Sequence, residues 1–370
     1  MNYFSFVNLI FFIASLLLSI TLYSIFLKYV NSFGNREIQH DDGQKRWGSR
    51  RKPSIGGVIF FIVFLTSLIC NLLINPISSG INYIFGLILP ATLGFIVGFF
   101  DDAYNTVPFL KFFGQLICAI LFIWSGLVIN ISTSDTFNNL ATIFWVVGMM
   151  NSINMLDNMD GIVSSTTIIS LILCLFIPSI YQNNTDFAIN ISIIAVLIGF
   201  LFYNWHPSKM YMGDTGSQFL GLYVAWITIK HVWGFKSPIS TFHVEQIIAP
   251  ILMLIVPIMD TTTVIFRRMM KGQSPFVGGR DHTTHHLALL GLTDNQVVYA
   301  LSSISLISGI TFIFFLKSLN VWSPSMTLGV FSFYLTIFIG LQYLYNKAKK
   351  KKRSEKEETL KESFNSISSN

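Results

Sequence analysis

The feature that most constrains this chain is a recurring run of about twenty apolar residues. On a window of about 19 residues, roughly eleven such segments stand out, near 4–28, 57–75, 81–100, 110–129, 139–156, 161–180, 188–205, 216–234, 246–266, 296–316 and 324–345. A bilayer core needs about 20 residues of helix. The runs are apolar all round and do not alternate, which predicts helices and not barrel strands. The expected fold class is therefore an all-α integral membrane protein, a bundle of about 11 transmembrane helices. It divides into a polytopic domain over 1–346 and a charged tail over 347–370.

Charge is scarce: 11% of residues are charged and 52% are hydrophobic, against about 25% charged in soluble domains. That balance excludes an ordinary soluble enzyme, a disordered chain and the usual kind of nucleic-acid binder. The net charge of +6 does not point to nucleic acid, because eight of the 24 cations fall between Lys347 and Lys361, among Glu355, Glu357, Glu358 and Glu362. This tail reads as a solvated, partly disordered end that could also meet anionic lipid heads. Cys70, Cys118 and Cys174 lie in apolar runs, and an odd number there suggests packing residues, not a disulfide framework. The first apolar run has no basic segment before it and no small-residue cleavage site after it, so it reads as a retained span.

Orientation follows from the basic residues. With the N-terminus outside and eleven crossings, 21 of the 24 cations fall inside, and only Lys230, Lys236 and Lys317 fall outside. This satisfies the positive-inside rule. Four polar clusters then share the cytoplasmic face. Ionisable groups at a membrane are costly and usually functional.

The first cluster holds Asp101 and Asp102, adjacent carboxylates that repel unless they share a cation or proton. They suit divalent metal or general-base work; a solvated helix end is the plain alternative. The second runs from Asn151 through Asn154 and Asp157 to Asp160. Its spacing of three draws one drifting helical stripe, and its hard oxygen donors suit Mg²⁺, unless the stripe is a hydrogen-bonded helix seam. The third, Gly213-Asp214-Thr215-Gly216, opens a span. Its glycines permit close approach, a helix N-terminus favours phosphate, and Asp214 is a metal-ligand candidate or an N-cap. The fourth, Arg280 to His286, lacks cysteine and is an improbable zinc site; it is read as an anionic-substrate loop or a solvated one. Lys111 could snorkel toward lipid heads or touch phosphate. Asp260 reads as a buried structural acid paired with an arginine.

In this order, and with Pro53-Ser54-Ile55-Gly56-Gly57 ahead of them, the clusters resemble the polyprenyl-phosphate N-acetylhexosamine-1-phosphate transferases of glycosyltransferase family 4. These include WecA-like and TagO-like enzymes and, more distantly, MraY-like ones. The resemblance runs from about Pro53 to Gly291. It implies a bundle of ten or eleven helices with a cytoplasmic active site in a bacterial inner membrane. It also implies transfer of a sugar 1-phosphate from a UDP-sugar to a polyprenyl phosphate such as undecaprenyl phosphate, releasing UMP and initiating a cell-envelope glycan.

By the same resemblance, Asp101 and Asp102 match an acid pair, one member of which activates the lipid phosphate. Asn154 and Asp214 match Mg²⁺ ligands, with Mn²⁺ an acceptable substitute. Asp157 and Asp160 match acids near nucleotide and metal, and Asn204 an asparagine near uridine. The loop with Arg280, His285 and His286 matches a segment on the sugar phosphates, and Lys111 is placed with these as a substrate contact. Two positions depart from the pattern: His282 stands one place earlier than the expected His-x-His-His, and Asn158 replaces a common glycine. The His loop is closer to the N-acetylglucosamine-type branch than to the peptidoglycan translocases. A homodimer is compatible with this reading. The competing readings are an intramembrane prenyltransferase acting on Mg²⁺-diphosphate, which would release pyrophosphate, and an ion-coupled transporter, which would place acids at the bilayer midplane.

Overall fold

The computed structural model describes residues 6–33, 53–74, 81–181, 183–233, 245–274, 279 and 281–368. Among these, all regular structure is helical. In chain order the helices are α1 (Phe6–Phe33), α2 (Gly56–Ile74), α3 (Ile81–Tyr104), α4 (Pro108–Trp124), α5 (Asp135–Leu156), α6 (Ile162–Cys174), α7 (Pro178–Tyr181), α8 (Asn184–Asn204), α9 (Gly213–His231), α10 (Glu245–Met253), α11 (Ile255–Met270), α12 (Thr283–Leu289), α13 (Asp294–Ser318) and α14 (Pro324–Ser368).

Each of the eleven apolar segments falls on helix, the sixth and ninth on two helices each and the others on one, but the helix lengths differ. Seven described helices, α1, α2, α3, α5, α8, α13 and α14, are long and apolar enough to cross a bilayer. The protein is thus a multi-pass membrane protein. The other four predicted crossings are irregular for physical reasons. Helices α4 and α6 have 17 and 13 residues, short of a full span. Helix α9 carries Asp214, Thr215, Ser217 and Gln218 in its buried first turns, which lowers its hydropathy.

The ninth segment breaks into α10 and α11, which meet at 93°. Pro257, in the first turn of α11, has no N–H to give the Met253 carbonyl, and its ring would crowd it. That carbonyl instead accepts from the Ser170 hydroxyl at 2.8 Å. The bend sends α11 toward α12.

Helix α9 is the centre of the bundle. It packs on α2, α3 and α5 and is buried on every side. In a lipid setting such contacts come from small residues that let backbones approach. A Cβ on Gly57 would collide with the backbone of Gly216, and one on Gly98 with the Asp214 carbonyl. The Pro53–Gly57 segment is fastened to the entry of α9 by Tyr211 N–H to Pro53 O at 2.9 Å and Gly57 N–H to Met212 O at 2.9 Å. The rest of the bundle follows as α1 and α2 on α8, and α6 on α13.

Cys118 and Cys174 are buried free thiols, while Cys70 lies on an exposed apolar face. The charged tail does not leave the last span as extended chain: α14 continues to Ser368. Its Lys, Glu and Ala residues are strong helix formers, and Arg353 and Glu357 pair at 2.9 Å on its surface.

Candidate active site

The site begins with the first turn of α9, whose amides have no intrahelical partners. The preceding Met212 supplies no side-chain cap. Asp102, at the end of α3, caps the helix from across the bundle. Its Oδ1 accepts from Asp214 N–H at 2.9 Å, and its Oδ2 from Thr215 N–H at 2.8 Å and Thr215 Oγ1 at 2.6 Å. A carboxylate at a helix N-terminus also meets the positive end of the dipole. Gly213 makes this possible, with φ +75° and a Cβ position that Asp102 oxygens already occupy.

The neighbouring Asp101 faces elsewhere. Its Oδ1 accepts from Thr106 N–H at 3.1 Å and Thr106 Oγ1 at 2.5 Å, and its Oδ2 accepts from Lys111 Nζ at 2.9 Å. The two acids of the pair therefore have different surroundings: Asp102 is occupied in shaping α9, whereas Asp101 looks onto the centre of the site.

That centre is the Lys111 ammonium. It donates to Asp214 Oδ2 at 2.5 Å, to Asp101 Oδ2 at 2.9 Å and, more weakly, to Asn154 Oδ1 at 3.4 Å. Asn154 in turn donates to Asp214 Oδ1 at 2.9 Å and Ser217 Oγ at 2.8 Å. Beneath it, Gln115 donates to Gln218 Oε1 at 2.9 Å and Asn151 to Gln115 Oε1 at 2.8 Å, joining α4, α5 and α9. The first three sequence clusters thus meet within hydrogen-bonding distance.

A positive centre ringed by two carboxylates and one carboxamide oxygen is a donor set for a hard divalent cation. Among the described residues no group of three or more His, Cys, Asp or Glu side chains is arranged to hold a metal ion by itself. Such sparse protein ligation suits Mg²⁺, which keeps waters and phosphate oxygens in its shell, better than a fully caged metal. Asp101, Asn154 and Asp214 fit it.

Asp157 caps the C-terminus of α5. Asp160 accepts from Ser208 N–H at 3.0 Å and Ser208 Oγ at 2.7 Å, with His206 Nδ1 at 3.1 Å. Asn204 is buried; it accepts from Gly161 N–H at 2.9 Å and donates to Met210 O at 2.9 Å. Asp160 and Asn204 therefore hold the loop between α8 and α9 against the end of α5.

The fourth cluster is anchored from α11. Asp260 accepts from His282 Nδ1 at 2.8 Å and Thr283 N–H at 2.8 Å, so the partner of this acid is a histidine and not the expected arginine. The arginine goes to Asp281, whose two oxygens accept a fork from Arg268 at 2.8 and 2.7 Å. Burial opposes the Asp281 charge, but the Arg268 guanidinium outweighs it and holds this carboxyl below its usual range.

Helix α12 then joins the second cluster through Thr284 Oγ1, which donates to Asn158 Oδ1 at 2.5 Å. His285 and His286 are both buried. His286 Nε2 lies 3.1 Å from the Asp281 carbonyl, and its ring meets Tyr345 of α14 edge-on at 4.7 Å. Burial, then the nearby Arg267, push the His286 imidazole down to about 4. It is neutral at physiological pH, and its Nε2–H donates to that carbonyl. Arg280 lies outside the described residues.

A sequence model described as glycosyl transferase family 4 matches residues 84–232. The "Probable undecaprenyl-phosphate N-acetylglucosaminyl 1-phosphate transferase" of Bacillus subtilis (strain 168) is 29% identical over 306 residues, which are 80% of this chain and 81% of the relative. A phospho-N-acetylmuramoyl-pentapeptide-transferase of Streptococcus agalactiae serotype Ia is 30% identical over 232 residues, 55% of this chain and 67% of the relative. The chain belongs to glycosyl transferase family 4. The decaprenyl-phosphate N-acetylglucosaminephosphotransferase of Mycobacterium leprae (strain TN) is 26% identical over 273 residues, 66% of this chain and 69% of the relative.

The stretch matched by the family 4 model contains Asp101, Asp102, Lys111, Asn154, Asp157, Asp160, Asn204 and Asp214, and the His helix lies beyond it. Several contributors in this family 4 chain carried no sequence signal of their own. Thr106, Gln115 and Gln218 are ordinary polar residues until the fold pairs them. Gln342, which accepts from Arg267 Nε at 3.1 Å, and Tyr345, 4.6 Å beneath the same guanidinium, come from a helix that reads as a plain span.

Proposed function

We propose that this protein transfers a sugar 1-phosphate, an N-acetylglucosamine or related N-acetylhexosamine 1-phosphate, from a UDP-sugar to a polyprenyl phosphate and releases UMP. Family membership and the names of its relatives support phosphoryl transfer to a polyprenyl phosphate. The observation that carries the reading is the convergence of Asp101, Asn154 and Asp214 on one cation at the N-terminus of α9. That is a place where a diphosphate can be held against positive charge.

Asp101, Asn154 and Asp214 would hold Mg²⁺, which when bound neutralises charge building on a departing nucleotide phosphate. Asp102 keeps the α9 amides and Asp214 aligned and acts as a positioning residue. Asp101 turns one oxygen to the centre, where it would serve as a metal ligand and not also as a base for the lipid phosphate. With a second phosphate pKa near 6, that nucleophile is largely ionised at neutral pH, so alignment contributes more than base catalysis. Asp157 is assigned to the nucleotide side. Asp160 and Asn204 hold the loop beside it. Arg280, His285 and His286 would meet the sugar phosphates; His286, being neutral, acts there as a hydrogen-bonding group and not as a cation.

This reading has the chain cross a bacterial inner membrane eleven times, with the N-terminus outside and the site cytoplasmic. The shorter α4 and α6 and the bent α10–α11 pair then count as crossings. The cation distribution supports this orientation, and a homodimer is compatible with it. The test is mass spectrometry of lipid extracts after incubating the purified protein with polyprenyl phosphate, Mg²⁺ and a panel of UDP-N-acetylhexosamines. A polyprenyl diphosphate sugar is expected, with UMP in the aqueous phase. Pyrophosphate release would indicate prenyl transfer instead, and no lipid-linked sugar from any donor would refute the reading.

A further inference from the structure

We infer that Lys111 is an exchange residue: its ammonium holds the metal carboxylates together until a phosphate-bearing substrate draws it away, so that metal and substrate enter cooperatively. The inference rests on the reading of this site as a Mg²⁺-dependent phosphoryl-transfer centre.

Three observations carry it. First, Lys111 occupies the position the divalent cation needs, since it bonds the same oxygens, Asp214 Oδ2, Asp101 Oδ2 and Asn154 Oδ1. Second, the cluster is enclosed, with Lys111, Asp101 and Asp214 side chains only 14%, 11% and 4% exposed. Two carboxylates this close need a counter-charge in so dry a place, and Lys111 supplies it. Third, the lysine can change partner where the aspartate cannot. It sits on α4, one turn past Pro108, and its four-carbon stem is long and flexible. Asp214 by contrast is set rigidly by its bonds to Asp102 and Asn154.

A dication and an ammonium cannot both sit against these oxygens without strong repulsion. Metal entry therefore requires the ammonium to move, and a phosphate oxygen is the ligand that compensates it. Alone, the metal must displace Lys111 with nothing to receive it. With a diphosphate present, the lysine passes from carboxylate to phosphate and the metal takes its place. By linkage the effect is reciprocal: the diphosphate raises metal affinity and the metal raises diphosphate affinity by the same factor. An arginine would not serve, because its planar fork would pin both carboxylates at once.

The experiment measures Mn²⁺ binding by electron paramagnetic resonance to the purified full chain in detergent, with and without UDP, for wild type, Lys111→Met and Lys111→Arg. Wild type should bind Mn²⁺ more tightly with UDP than without. Lys111→Met should bind Mn²⁺ alone more tightly than wild type by about tenfold, the scale on which neighbours of metal ligands alter affinity, with little further gain from UDP. Lys111→Arg should bind Mn²⁺ more weakly than wild type. Equal Mn²⁺ affinities in wild type and Lys111→Met, or weaker binding in Lys111→Met while it keeps its thermal transition, would overturn the exchange role and leave the metal site standing. Absence of Mn²⁺ binding in all three, with UDP present, would overturn the metal reading itself.

Discussion

The two ends of α9 each hold a lysine against a carboxylate, and they differ in how the charges balance. At the N-terminal end, Asp101 and Asp214 share Lys111, and Asn154 adds an oxygen. At the other end, about 24 Å away along the helix axis, Asp186 is fully buried with Lys230 at 2.6 Å and His231 Nε2 at 3.0 Å, while His231 Nδ1 lies 2.9 Å from Ser179 Oγ. One acid there meets one full positive charge and a histidine. The far cluster is balanced and ties α7, α8 and α9 together. The near cluster has more carboxylates than its single cation can balance, since Asp102 lies at the same helix end beside Asp101 and Asp214. An uncompensated buried charge is a liability unless a ligand supplies the difference. The lesson is that the excess negative charge, not the mere presence of an Asp–Lys pair, marks the site.

If that contrast is right, the two clusters should fail in different ways. Asp214→Ala should give the largest loss, about 10²–10³-fold or more in sugar-phosphate transfer, as when a preorganised electrostatic group is removed from a reacting centre. Its thermal transition should move little. Asp186→Ala should do the reverse: unfolding in detergent should become easier by roughly 3–5 kcal/mol, the usual cost of orphaning one member of a buried pair, with Mn²⁺ affinity of the folded fraction unchanged. Loss of metal binding in Asp186→Ala would erase the distinction between the ends.

Asp102→Asn should cost about 10–100-fold in turnover, because the amide can accept at one oxygen but presents N–H groups to N–H groups at the other. Thr215→Val should follow in the same direction and more mildly. Asn158→Gly should loosen α12, raising KM for the UDP-sugar several-fold, in keeping with about 1 kcal/mol for one hydrogen bond.

A further effect is in pH. His286 titrates at about 4 in the folded protein and near 6.5 when unfolded. The unfolded state therefore binds more protons between those values, and stability rises with pH across them. The contribution is complete above about 6.5 and declines as pH falls toward 4. Thermal unfolding between pH 6.5 and 4.5 should consequently be less acid-sensitive in His286→Asn than in wild type.

Much of this was legible from residues alone. The apolar runs became helical, because helical period and bilayer length leave a long apolar segment few alternatives. The polar clusters were visible because charges are scarce enough for each to stand out. What stayed hidden was pairing at long range. Lys111 reads as a snorkelling residue or a phosphate contact until the fold brings it to Asp214, and Asp260 reads as an arginine partner until the bend after α10 delivers His282. The division of labour between Asp101 and Asp102 was equally out of reach, since adjacent residues on a helix point about 100° apart and only tertiary contacts say where. Hydropathy also counted α4 and α6 as spans without registering how short they are.

The most direct test of the central claim follows the two phosphates of UDP-N-acetylglucosamine separately. The donor is labelled with ³²P either at the sugar-linked phosphate or at the uridine-linked one, and incubated with the purified protein, polyprenyl phosphate and Mg²⁺. The account predicts that the sugar-linked label enters the lipid while the uridine-linked label leaves as UMP. It also predicts that both movements slow by about 10²-fold or more with Asp214→Ala. Transfer of unlabelled sugar to the lipid, with both phosphates left on the nucleotide, would contradict it.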